Sequence, residues 1–205
     1  MVIVLLLHVS LAFPSRPALP PDILRTAVTE AAGVWSPYGV AIDVAGPFDG
    51  AQDRPLDCAQ DGPFDWASDD RVILTVVTIE TRRTLSSRAP AGWRGVLGTM
   101  TFEPGGAPSP VITVFLTDIG RFIADTKVLG VHEWQWPPSL RDEVMGRVLG
   151  RVLAHEIGHF VLRMRGHAAV GLMRQVLSAR DMVDRSRRGF ALSRNETDRL
   201  QEARR

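Results

Sequence analysis

From Leu140 to Met164 the sequence carries no proline, and apolar side chains recur at Val144, Val148, Val152, Leu153, Ile157 and Phe160. That spacing predicts a long α-helix whose apolar surface covers much of its circumference, so other elements have to surround it. Ser139 stands where an N-cap belongs, and Asp142 and Glu143 favour the positive end of the helix dipole. The same helix carries His155, Glu156 and His159. Buried polar groups are costly without partners. The chain must build a core around this helix and give its polar residues something to bind.

Three of the five histidines fall between positions 155 and 167. On a helix, His155 and His159 lie one turn apart and about 40° around the axis, so both imidazoles can reach one metal ion. Glu156 points about 100° away from His155, placed to address a water on that metal rather than to ligate it. A third ligand completes a catalytic zinc site and leaves one tetrahedral position open. His167 can supply it if the helix ends near Met164 and Gly166 turns the chain back. Zinc held by His155, His159 and His167 lowers the pKa of a bound water to about 7, with Glu156 as general base. The competing reading is a packed helix whose histidines are satisfied by ordinary hydrogen bonds.

The remaining pattern predicts one α+β domain over residues 1–205, with no internal repeat and no dividing linker. Residues 1–13 read either as a buried strand or as a signal-like segment. No Lys or Arg precedes the apolar run, which favours the strand and leaves secreted and cytoplasmic locations both open. A helix is expected from Ile23 to Trp35, capped by Asp22, with Leu24, Val28, Ala31 and Ala32 on one face. Strands are expected at Val40–Val44, Arg71–Ile79, Gly95–Phe102 and Pro110–Leu116, with a turn at Pro104-Gly105-Gly106. Residues 126–138 read as a loop. A basic helical region follows from Arg174, and Ser193 with Glu196 forms a capping box opening a last helix.

Composition narrows the function classes. One cysteine, Cys58, excludes both an internal disulfide framework and a cysteine-built zinc site. The acidic, turn-rich stretch Asp49–Asp70 lacks the close alternation of a calcium loop and reads as a solvated loop. No apolar run beyond the N-terminus is long enough to span a bilayer. Residues 163–205 hold eleven arginines and five acids, against three basic and ten acidic residues in the first seventy. This asymmetry raises a nucleic-acid partner as an alternative. The arginines interleave with apolar and acidic residues, however, and the net charge is only +1, so a solvated helix face is preferred. His132, beside Glu133, Trp134 and Trp136, reads as a loop packing its aromatics on the core.

His155-Glu156-Ile157-Gly158-His159 resembles the zincin metallopeptidase signature. His167, followed by Gly171-Leu172-Met173-Arg174, resembles the third ligand and methionine turn of the metzincin clan. The expected order of elements also resembles that clan: strand, helix, strands, long helix, methionine turn and C-terminal helix. The metzincin pattern HExxHxxGxxH would place glycine at 162 and histidine at 165. This chain has Leu162 and Arg165, and its third histidine comes two residues late, after Gly166. In this it resembles short bacterial metzincin-like proteins. The resemblance implies a metzincin-like zincin domain, with a mixed twisted sheet packed on a long active-site helix and C-terminal helices. It also implies a Zn2+-dependent metalloendopeptidase acting on a peptide or protein substrate. Met173 would form an apolar floor beneath the imidazoles, and a strand edge between Gly95 and Leu116 would receive the extended peptide. Tyr38, the only tyrosine, is too remote in sequence for the tyrosine that follows the turn in some members. A silent zinc-binding or peptide-binding relative is the alternative, and retention of Glu156 speaks against it.

Overall fold

The computed structural model describes residues 6–12, 19–44, 72–82 and 95–203. The stretch from 49 to 70, with its calcium reading, and Cys58 lie outside these residues.

The N-terminal segment is a strand, β1 (Leu6–Ala12), and it lies inside its sheet, second from one edge. Helix α1 (Pro21–Trp35) carries the chain back so that β2 (Val40–Val44) pairs parallel to β1 on one side. Parallel neighbours need such a crossover. Strand β3 (Val72–Arg82) pairs parallel on the other side of β1, and β5 (Pro108–Phe115) pairs parallel to β3. Strand β4 (Gly98–Phe102) closes the order β2-β1-β3-β5-β4 and alone runs antiparallel. A tight turn joins β4 to β5, with Glu103 N–H donating to Ala107 and Gly106 at φ 88°. The described part of the chain is therefore α+β, and β4 is a sheet edge.

Helix α3 (Pro138–Val161) is the long helix expected from the sequence, and it is buried along most of its length. Val144, Val148, Val152, Leu153 and Ile157 are in the core, and Phe160 is half-buried against it. Helix α1 lies very close to it. A Cβ at Gly150 would collide with the Ala27 carbonyl and the Glu30 Cβ, and one at Gly146 with Thr26 and the Ile23 carbonyl. Glycines in a helix cost roughly 0.5–1 kcal/mol each, offset here by the close approach. The fully buried Trp35 ties the pair together, its Nε1 donating to the Ala154 carbonyl at 3.0 Å.

One turn before the histidines, Arg151 is fully buried. Its Nε lies 2.8 Å from Glu30 Oε1, and its other nitrogens donate to the carbonyls of Asp181 and Ser186. Its guanidinium also lies over the Phe190 ring, 4.6 Å from the centroid. Arg187 grips the other oxygen of Glu30 at 2.8 Å. This clamp joins α1, α3 and the C-terminal segment.

Several expectations are corrected. Helix α1 begins at Pro21 without a side-chain cap, so Asp22 lies in its first turn and pairs with Arg25 at 3.0 Å. Helix α3 likewise begins at Pro138, and Ser139 is inside it. Both starts use proline at the first position, where its missing N–H is no loss. Glu143 lies beyond the first turn and pairs with Arg147 along the helix and with Arg185 from the segment after residue 183. Helix α2 (Leu116–Ala124) was not expected, and the loop at 126–138 holds a small hairpin, β6 (Lys127–Val128) with β7 (Val131–His132). There Trp136 is buried, but Trp134 is exposed and stacks with His132. The basic region after Arg174 is helical in α4 (Ala179–Val183), capped by Ser178, and in a single 3-10 turn at Arg188–Phe190. The capping box at Ser193 and Glu196 opens α5 (Arg194–Ala203) as expected.

Candidate metal centre

The two helical histidines are fixed by the backbone around them. His155 Nδ1 lies 2.8 Å from the Leu172 carbonyl, and His159 Nδ1 lies 2.6 Å from the Met164 carbonyl. A carbonyl only accepts, so each ring donates from Nδ1 and leaves Nε2 with a lone pair. These two Nε2 atoms face one another at 3.2 Å. Neither carries a hydrogen, so their contact is not a hydrogen bond but a gap shaped for a cation. His167 joins them, with ring centroids 5.3 Å from His155 and 4.9 Å from His159. Ligand nitrogens of all three lie within 4.8 Å of one another, so the cluster can hold a metal ion. Around a tetrahedral ion with Zn–N near 2.0–2.1 Å, nitrogens stand about 3.3 Å apart. The helical pair has that spacing already, and the exposed His167 completes the set of three.

Burial keeps the rings neutral. It pushes His155 down to about 4, more than the Leu172 hydrogen bond raises it, and its two neighbouring imidazoles lower it further. His159 and His167 are lowered for the same first reason. Neutral imidazoles are the form that binds metal.

The turn to His167 is built by Arg163 rather than Gly166. Helix α3 ends with Arg163 in the left-handed region at φ 49°, its N–H donating to Phe160 and the Met164 N–H to His159. These two bonds form a Schellman cap. Met164 thus caps the His159 carbonyl with its N–H and orients the His159 ring with its own carbonyl. Beyond it, Ala168 N–H donates to the Met173 carbonyl at 2.8 Å. Leu172 is held from both sides, its N–H on the Ala191 carbonyl and its carbonyl on His155. That approach needs Gly171, at φ 80°, because a Cβ there would enter the Ala191 carbonyl. Met173 is fully buried, and its sulfur occupies the space where a Cβ on Gly158 would stand.

Glu156 is buried beside β4, where a Cβ on Gly98 would come within 3.1 Å of its Cγ and Oε1. No cation pairs with it among the described residues, and burial pushes it up to about 8. It shares a cleft of about 1150 Å³ with the three histidines. Strand β4 forms one wall, and residues 174–179 with Met182 form the other.

Leu172, Met164, Gly98 and Gly158 were missed by sequence reasoning. Two of them act through backbone carbonyls, which carry no residue signal, and the two glycines act through an absent side chain. His132 and Tyr38 are not among the cleft-lining residues. Tyr38 instead accepts the Leu192 N–H at 2.8 Å. Compared with known protein families, with curated proteins and with solved structures, the chain matches none.

Proposed function

We propose that this chain is a zinc-dependent metalloendopeptidase of the metzincin-like zincin type, cleaving a peptide laid along the free edge of β4. The observation that carries this reading is the pair of Nε2 lone pairs facing each other beside a buried Glu156 that has no cation partner among the described residues. His155, His159 and His167 would hold the ion. Zinc there supplies Lewis acidity and an activated water. Glu156 takes the proton of the attacking water and passes it to the leaving amine nitrogen. Burial alone keeps Glu156 protonated near neutral pH, and it ionises more readily once positive charge sits among the histidines. The edge of β4, unpaired among the described residues, offers N–H and C=O groups to an extended substrate, as β-strand addition requires. Met173 supports the turn beneath α3 without touching substrate.

The test combines metal analysis with peptide cleavage. Purified protein is expected to hold one zinc per chain and to cleave members of a mixed peptide library. Glu156→Gln should keep the zinc and lose cleavage by about 10²–10⁴-fold, whereas His167→Ala should lose zinc. Zinc binding without cleavage by the unaltered protein would leave a silent metal-binding relative instead.

A further inference from the structure

Beyond the histidines, the charge reaching the cleft is one-sided. Arg165 and Arg174 line it, and Glu156 is the sole acidic residue among the described ones that does. The two arginines differ. Arg174 is committed, with Nη2 donating to Asp181 Oδ2 at 2.6 Å. Arg165 has no acidic partner among the described residues. Its guanidinium lies over the Phe102 ring, 5.1 Å from the centroid, and one nitrogen donates to the Glu103 carbonyl at 3.2 Å. The stack and that single bond orient the group while leaving most of its five donors unused. An oriented, unpaired guanidinium is suited to accept a carboxylate in bidentate fashion.

Its position relative to the chemistry can be read along β4. Gly98 abuts Val152 and Glu156, and Phe102, four residues on, lies beneath Arg165. Four residues of strand span at most about 13 Å, and less where the register shifts between Met100 and Phe102. A peptide paired to the free edge of β4 has the same rise. The side chain it presents to Arg165 therefore sits three or four residues from the bond beside Glu156.

Resting on the peptidase reading, we infer that the cleft selects peptides with an aspartate or glutamate three or four residues from the cleaved bond. That residue lies on the side of the peptide running against Phe102, and Arg165 determines the preference. Arg165 touches neither the metal ligands nor Glu156 and acts on specificity alone.

The test uses fluorescein-labelled, alanine-rich peptides in which one Glu, Gln or Lys is walked through successive positions. Binding to zinc-loaded Glu156→Gln protein is read by fluorescence anisotropy, which needs no turnover. Glu at the favoured position should bind about three- to fivefold more tightly than Gln at the same position. Arg165→Glu should make Lys the preferred residue there. Affinities for Glu and Gln within twofold at every position, or a Glu preference that survives Arg165→Glu, would overturn the inference. The same peptides are then offered to unaltered protein. Acid-selective binding with no cleavage sinks the peptidase reading and leaves the selectivity standing. Cleavage indifferent to the acid does the reverse, and binding of none of the peptides ends both.

Discussion

Helix α3 carries two buried polar sites one turn apart, and they are finished differently. At Arg151 the protein supplies its own counter-charge: Glu30 on the charge, carbonyls on the remaining donors and Phe190 against the guanidinium face. At His155 and His159 the backbone satisfies only Nδ1, and the two Nε2 atoms are left facing each other. Both sites lie in the same apolar setting, where a buried charge costs far more than a buried neutral ring. The first is closed by residues of the chain. The second is ordered but open, and only something brought from outside completes it. A buried cluster whose lone pairs are oriented but left without donors can hold an ion, whereas one whose charge and donors are matched within the chain is a fastening.

The largest test of this contrast is Glu30→Ala. It leaves the guanidinium of Arg151 buried and unpaired, so a loss of about 3–5 kcal/mol is expected in denaturant unfolding, with zinc stoichiometry unchanged in the fraction that folds. Zinc should act in the opposite direction. At a free concentration of 100 times Kd, it should stabilise by about 2.7 kcal/mol, and His155→Ala should abolish that gain. A stability gain that persists in His155→Ala would place the ion elsewhere.

The pH dependence separates the open site further. In metal-free protein, His155 is depressed to about 4, so below pH 6.5 the unfolded chain takes up a proton that the fold refuses. Stability falls as pH drops through that window. Glu156, raised to about 8, stays neutral in the fold while the unfolded chain ionises from about 4.5. Its contribution is lost as pH rises toward 8. Between 4.5 and 6.5 the two slopes oppose. From 6.5 to 8 the Glu156 effect remains, about 2 kcal/mol, and Glu156→Gln should flatten it in thermal melts run across that range. The smallest effect belongs to Arg187, the solvent-facing half of the clamp, whose side chain is 44% exposed. Arg187→Ala should cost at most about 1 kcal/mol, and a larger loss would mean that the clamp is not carried by Arg151.

What was legible in the sequence was periodic or spaced. Helix α3 announced itself through Val144, Val148, Val152 and Ile157, and the three histidines through their spacing. Its ends were less legible. Prolines start the helix where Ser139 had been expected to cap it, and Arg163 ends it in a conformation that favours glycine. Helix α2 was hidden because it is short, contains Gly120 and has no polar N-cap. Its signal was Ile119 and Ile123, one turn apart and both buried. The clamp joins residues 121 positions apart, and no local pattern pairs Glu30 with Arg151. The carbonyls of Leu172 and Met164 lay beyond any reading of side chains, although they set which nitrogen each imidazole offers.

Met164 is pinned to the end of α3, and Ala168 is pinned to Met173. Just three residues, Arg165, Gly166 and His167, span the interval. An insertion or deletion there finds no slack to absorb it and would displace the imidazole and the guanidinium together. A change in the length of this link, unlike a substitution of Arg165 itself, would therefore shift both groups at once.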